Sequence, residues 1–278
     1  MTEVTAHHGL FRSTDLHVDD TGGAGRPVVL VHGWPLSGAS WSEQVPALEA
    51  AGYRVVTYDR RGFGRSDKTR SGYDYDTLSD DLAAVLDELD LTDVTLVGFS
   101  MGGGEVARYV SRHGQDRLRS VVFAAAVPPF MAQSADNPEG PLDDATAESM
   151  ESGLKEDRSA FFDQFTTQFF SVGDDLKATE AQRQEAIALA EQSDQKAALA
   201  CMESFGTTDF RGDLPSVTVP TLVIHGAGDG VVPFEGSGAR TAAAIRGSEV
   251  HVVDDAPHGF NVTHATEFNA RLLEFLAR

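Results

Sequence analysis

The stretch Val94-Thr95-Leu96-Val97-Gly98-Phe99-Ser100-Met101-Gly102-Gly103-Gly104 constrains this chain more than any other. Its first four residues are an apolar run rich in β-branched side chains, the mark of a strand buried on both faces. Gly98, Ser100 and Gly102 then fit the pattern G-x-S-x-G, and residues 105–110 continue as a helix. Strand, sharp turn and helix in that order hold the central serine in strained backbone at the top of a sheet, with its hydroxyl presented. Glycine is needed on either side because the two backbones pass too closely for a Cβ. Ser100 is thereby a candidate nucleophile, and a chain built around such a turn needs sheet and helices in layers.

The remaining pattern supplies those layers. Residues 28–31, 54–58, 94–97 and 121–124 read as strands. Helical spacing lies between them, clearest for Leu78, Leu82, Val85, Leu86 and Leu89 and shorter for Val45, Leu48 and Ala51. Strands alternating with amphipathic helices imply an α/β fold with a mainly parallel sheet covered on both faces. Residues 13–19 alternate and are expected to form an edge strand, closed by the turn at 21–25. From Val127 to about Asp213 strand-like runs stop, helical segments take over, and Phe161, Phe162, Phe165, Phe169 and Phe170 cluster. This predicts a helical cap, residues 127–213, inserted in a core domain of residues 1–126 and 214–278. Residues 219–224 restart the sheet, 249–253 end it, and a closing helix carries Phe268, Leu272 and Phe275 on one face.

A serine hydroxyl attacks a carbonyl only when a base takes its proton, and that base needs an acid to orient it. Asp229 follows the strand at 222–224, within His225-Gly226-Ala227-Gly228-Asp229-Gly230-Val231-Val232-Pro233. His258 follows the last strand, within Asp254-Asp255-Ala256-Pro257-His258-Gly259-Phe260. Ser100, Asp229 and His258 are therefore the candidate catalytic residues. Asp254 and Asp255 compete for the acid's place, although an aspartate so near its histidine in sequence is more often a loop cap.

The charge developing on the substrate oxygen needs two N–H donors. One is expected from Met101; the other from the loop holding His32-Gly33-Trp34-Pro35, where Pro35 has no N–H and biases Trp34 towards extended backbone. Trp34 is the expected second donor. His32 reads as a brace for its loop, His225 as a hydrogen-bonded core residue, Asp59-Arg60-Arg61 as a turn held by side-chain hydrogen bonds, and Cys201 as core filler. Pro35, Phe99, Val127, Phe130, Val231 and Phe234 are the expected pocket walls, by nearness to the motifs. No histidine pair or carboxylate cluster has metal spacing, and neither metal nor cofactor is expected.

The segments His32-Gly33-Trp34-Pro35, Tyr58-Asp59-Arg60-Arg61-Gly62-Phe63-Gly64-Arg65-Ser66, Gly98-Phe99-Ser100-Met101-Gly102-Gly103-Gly104 and Asp255-Ala256-Pro257-His258-Gly259-Phe260 together resemble the bacterial cofactor-free haloperoxidases and arylesterases of the α/β-hydrolase fold. The resemblance runs along essentially the whole chain. It implies an eight-stranded, mainly parallel sheet with an inserted helical cap, and hydrolysis of small carboxylic esters through an acyl-serine. It also implies perhydrolysis, in which hydrogen peroxide replaces water and releases a peracid that oxidises halide away from the enzyme. Pro35 after the tryptophan resembles the haloperoxidase branch more than plain esterases. Amide or lactam hydrolysis, carbon–carbon hydrolysis with the same triad, and a non-catalytic ligand-binding role are the rival readings.

Charge and composition narrow the partners. A formal net charge of −21 argues against nucleic acid and anionic membranes. No stretch approaches the length of a membrane span, and residues 1–8 have neither the basic region nor the apolar core of a secretory signal. The single cysteine, Cys201, permits no intramolecular disulfide, and the cytoplasm is the expected location. The expected partner is a small-molecule ester, and the sequence leaves assembly into a homo-oligomer open.

Overall fold

The computed structural model describes residues 2–7 and 13–278; Met1 and His8 of the opening stretch lie outside them. Its organising layer is an eight-stranded sheet. In chain order the strands are β1 (Thr2–His7), β2 (Ser13–Asp20), β3 (Pro27–Val31), β4 (Arg54–Tyr58), β5 (Val94–Phe99) and β6 (Leu118–Ala124). Two short strands, β7 (Ser171–Val172) and β8 (Asp175–Leu176), pair only with each other, and β9 (Thr221–Gly226) and β10 (Glu249–Val253) complete the large sheet. The spatial order is β1-β2-β4-β3-β5-β6-β9-β10. β2 runs antiparallel to both its neighbours, and every pairing from β4 to β10 is parallel. The apolar runs of β3 and β5 sit at the centre, where β5 is buried at all of its positions, as a strand covered on both faces must be.

Residues 13–19 form the expected strand, but not at the edge. β1 lies outside it, pairing from Thr2↔Val18 to His7↔Ser13. Only Val4 and Ala6 of β1 are buried, so its alternation is too weak to read without the partner strand.

Helices α1 (Val45–Ala50), α2 (Tyr75–Glu88) and α3 (Met101–His113) link the first strands. The Asp74 side chain accepts the Thr77 N–H at 2.9 Å and starts α2, which buries Leu78, Leu82, Val85 and Leu86 against the sheet. Ala51 is exposed, because α1 ends one residue before it.

Between β6 and β9 lie α4 (Asp144–Glu156), α5 (Arg158–Phe169), α6 (Glu180–Glu191) and α7 (Gln195–Thr207). Asp143, Asp157, Thr179 and Asp194 each accept a main-chain N–H three residues on, so every one of these helices has a side-chain cap. The β7–β8 hairpin interrupts this helical segment with two residues per strand, too few to leave a periodic signal. Helices α8 (Gly238–Ala244), α9 (Phe260–Thr263) and α10 (Ala265–Leu276) finish the chain, and α10 buries Phe268, Leu272 and Phe275. Among the described residues no helix is long and apolar enough to cross a membrane.

The turn from β5 into α3 leaves no room for a side chain at its first glycine. A Cβ on Gly98 would lie 2.6 Å from the Gly102 carbonyl oxygen and 2.7 Å from Gly103 Cα. Gly98→Ala should therefore destabilise the protein by ~1–3 kcal/mol or more. Gly212→Ala, at a site with nothing within 4 Å, is the control. It should stay within about 0.5 kcal/mol of wild type in urea unfolding.

Candidate active site

Ser100 sits between the end of β5 and the start of α3 with φ 54° and ψ −121°, on the left-handed side that a residue with a Cβ seldom adopts. Three main-chain bonds hold it there. Its N–H donates to the Ala124 carbonyl at 2.9 Å, and its own carbonyl accepts from Gly103 at 3.0 Å and Val127 at 3.2 Å.

Asp229 and His258 arrive from loops beyond the ends of β9 and β10, the last two strands of the sheet. The Asp229 carboxylate takes the Val231 and Val232 N–H groups on Oδ1 at 2.9 and 2.8 Å, and turns Oδ2 to His258 Nδ1 at 2.6 Å. The other ring nitrogen, Nε2, lies 3.0 Å from Ser100 Oγ. All three side chains are buried, and the imidazole is packed between the rings of Phe99 and Phe169 at centroid distances of 5.1 and 5.0 Å.

Burial by itself would raise the Asp229 pKa. The charge of His258 and hydrogen bonding from His225 and His258 outweigh it and hold the carboxyl well below its ordinary range. An ionised carboxylate can only accept, so His258 Nδ1 carries the proton and Nε2 offers its lone pair to the hydroxyl. The chain of contacts can take a proton from Ser100 and hold the resulting imidazolium beside a fixed negative charge. Asp254 and Asp255 are exposed, and Asp255 is paired with Lys177 at 2.6 Å.

Met101 is the first residue of α3, and Trp34 follows β3 by three residues. Among the described residues neither main-chain N–H donates to a main-chain carbonyl in the bonds that hold these turns. The Trp34 indole N–H donates to the Ala198 carbonyl of α7 at 2.9 Å, and its ring lies edge-on to Phe162, Phe165 and Phe205.

A cavity of about 660 Å³ opens over Ser100 and Trp34. Of the expected walls, Val127 and Val231 lie along it, and Pro35, Phe99, Phe130 and Phe234 do not. Pro35 is buried in a turn closed by the Leu36 N–H on the Gly33 carbonyl at 3.1 Å. Phe99 points into the core beneath His258 and reaches Trp41. Phe130 lies against the Arg211 guanidinium, and Phe234 stands edge-on to His225. Nearness in sequence does not set side-chain direction. Much of the wall instead comes from α4 and α5, through Met150, Phe161 and Phe165.

A family model described as the alpha/beta hydrolase fold matches residues 26–265. The chain belongs to the α/β-hydrolase family. It is 44% identical over 280 residues to a putative non-heme chloroperoxidase of Synechocystis, covering 99% of this chain and 100% of that protein. It is 35% identical to a bifunctional esterase/perhydrolase of Acinetobacter calcoaceticus, over 94% of this chain and 96% of that one. Among solved structures, a bromoperoxidase from Bacillus anthracis superposes with a TM-score of 0.95 at 51% identity, over 100% of both chains.

One feature of this α/β hydrolase escapes a reading of its sequence. The turn Asp59-Arg60-Arg61 is held by side chains as expected, Asp59 accepting the Gly38 and Arg65 N–H groups at 2.9 and 2.8 Å. Arg60 reaches much further: its Nε donates to Glu105 on α3 at 2.6 Å, and its Nη2 donates to the His32 carbonyl at 2.6 Å. Tyr58 donates to the other Glu105 oxygen at 2.6 Å, so α3, which follows the sharp elbow at Ser100, the loop after β4 and the Trp34 loop share one buried network. A glutamate within the otherwise uncharged stretch after the elbow was the available signal, since a buried charge demands a partner. His225 is a hydrogen-bonded core residue, as expected. It is buried with Nε2 2.8 Å from the Val232 carbonyl and 3.3 Å from Asp229 Oδ2, beneath the candidate acid. Cys201 is a buried free thiol pushed up to about 12 by burial, in keeping with core filler. Among the described residues no group of three or more His, Cys, Asp or Glu could hold a metal ion.

Glu105→Leu should cost ~3–5 kcal/mol, because the Arg60 charge would be left buried without its carboxylate. Adding Arg60→Met should return most of that loss, read from urea unfolding of both single variants and the double. Asp229, held low in the folded state, stabilises the protein above the ~3.9 of a free aspartate. That contribution is lost as pH falls further, because the unfolded chain then binds the proton first. Asp229→Asn should accordingly lose less stability than wild type between about pH 5 and about pH 3 in matched denaturant titrations.

Proposed function

We propose that the protein hydrolyses small, uncharged carboxylic esters through an acyl-serine intermediate. The observation that carries this reading is the buried relay of 3.0 Å from Ser100 Oγ to His258 and 2.6 Å from His258 to Asp229, at the floor of the cavity. Ser100 attacks the ester carbonyl while His258 takes its proton. The Trp34 and Met101 N–H groups hold the oxyanion. His258 returns the proton to the departing alcohol, and Asp229 keeps the ring in the required tautomer and steadies its charge. Water, activated by the same imidazole, then releases the acid. Residues 127–213 act as the cap over a core of residues 1–126 and 214–278.

Among the described residues no lysine or arginine lines the cavity, whereas Asp143, Glu156 and Asp157 do. A substrate bearing a carboxylate would meet only like charge there, which favours uncharged acyl and alcohol groups. The esterase/perhydrolase and chloroperoxidase relatives support a second outcome at the same acyl-serine. Hydrogen peroxide attacks in place of water, its proton passing to His258, and leaves as the peracid with Ser100 regenerated. A cytoplasmic location is part of the proposal, since the lone buried Cys201 forms no disulfide that an oxidising compartment would protect.

Ser100→Ala should lower turnover of phenyl acetate by ~10⁵-fold or more with an unchanged circular dichroism spectrum. An unchanged rate would place the nucleophile elsewhere. A fluorophosphonate probe should label wild type and spare the variant, which a disarmed ligand-binding member of the fold would not do. Hydrogen peroxide added during phenyl acetate turnover should divert product from acetate to peracetic acid. Acetate alone would leave hydrolysis standing and remove the perhydrolase half.

A further inference from the structure

His32 is fully buried behind the Trp34 loop, and its ring is committed on both nitrogens. Nε2 lies 2.9 Å from the Arg60 main-chain nitrogen, whose N–H can only donate. Nε2 therefore presents a lone pair, and a neutral imidazole carries its proton on the other nitrogen. That nitrogen, Nδ1, lies 2.9 Å from the Gly33 carbonyl oxygen and donates to it. Arg60 Nη1, 3.3 Å from Nδ1, is then a charged neighbour and not a donor to the ring. The same Gly33 carbonyl accepts the Leu36 N–H at 3.1 Å.

The peptide bond in question is Gly33–Trp34. It is trans, the cis bonds being Trp34–Pro35 and Pro128–Pro129. In a trans peptide the carbonyl and the N–H point to opposite sides. Whatever holds the Gly33 oxygen therefore sets the direction of the Trp34 N–H. Glycine offers little resistance of its own to such a peptide turning over, so the restraint has to come from hydrogen bonds.

We propose that His32 is a positioning residue for the reaction: as the Nδ1–H tautomer it clamps the Gly33 carbonyl and keeps the Trp34 N–H turned towards the oxyanion. This rests on the reading of Trp34 as an oxyanion donor. Burial, reinforced by the Arg60 charge, holds the His32 ring well below the ordinary imidazole range, so it keeps the neutral form the clamp requires. Arg60 is fixed in turn by Glu105, which gives the clamp a rigid base.

The test compares His32→Asn, whose side-chain amide can donate where Nδ1 does, with His32→Leu, which fills the space and donates nothing. The leucine variant should lose ~10²-fold in kcat on phenyl acetate with KM changed by no more than about twofold. Its affinity for a phenylboronic acid, which forms a tetrahedral adduct on Ser100, should fall by a similar factor. The asparagine variant should recover at least about tenfold of the lost kcat. Equal kcat in the two variants, or a loss confined to KM or to stability, would overturn the proposal. In wild-type protein with ¹⁵N-labelled histidine, His32 should show a protonated Nδ1 and an unprotonated Nε2. The opposite tautomer overturns the proposal whether or not the variants fold. Loss of turnover in Ser100→Ala together with undiminished kcat in His32→Leu would sink this inference alone. Full turnover in Ser100→Ala would sink the functional reading beneath it.

Discussion

The structure depends most on the close passage of β5 and α3 at Ser100. A residue with a Cβ at φ 54° is strained, a conformation that costs of order ~1–3 kcal/mol and persists only where its surroundings over-determine it. Here they do. The Ser100 peptide groups are bonded to Ala124, Gly103 and Val127, and the strand that feeds the turn is buried along its whole length. Because β5 is flanked on both sides by parallel partners, the turn cannot relax without breaking the centre of the sheet. The strain is thus held by a fully buried central strand, and what it delivers is a hydroxyl at a fixed height above the strand ends.

Charge is distributed around that point on one rule: each buried ionic group has its partners in place. Asp229 is satisfied by two main-chain N–H groups and His258, with the His225 N–H close by. Glu105 takes Tyr58 and Arg60, and Arg61 pairs with Asp81 at 2.5 Å. Arg60 links these two aspects of the structure. It neutralises a carboxylate on the elbow helix while bonding to the residue that precedes Gly33. Hydroxyl and Trp34 loop are therefore braced against a common support, which limits how far one can drift relative to the other.

Trp34 has a second attachment. Its indole is anchored to α7 and surrounded by phenylalanines of α5 and α7, so the loop after β3 is tied to helices that line the cavity. Substitutions that change the shape of those helices act on the cavity and on this loop together.

The linear sequence by itself determined the sheet, the elbow and the order of the chemical groups. Apolar runs with a buried-strand signature, helical spacing and glycines two residues either side of Ser100 are local properties, and local sterics read them directly. Ser100, Asp229 and His258 could each be placed behind a strand for the same reason, and the structure brings the three side chains together. Tertiary structure decided what no local rule encodes. β1 is recognisable only by its pairing with β2, because two small buried residues make no pattern alone. Phe99, Phe130, Pro35 and Phe234 sit beside the motifs in sequence and turn away from the cavity. Its wall comes largely from α4 and α5, where Met150 and Gly153 lie more than forty residues from Ser100, Asp229 and His258. The partnership of Arg60 with Glu105 and of His32 with the Gly33 carbonyl belongs to this second kind. Arg60 meets Glu105 only when the loop after β4 packs on α3, and the Nδ1 proton that meets the Gly33 carbonyl follows from the Arg60 N–H on Nε2, so periodicity alone names neither partner.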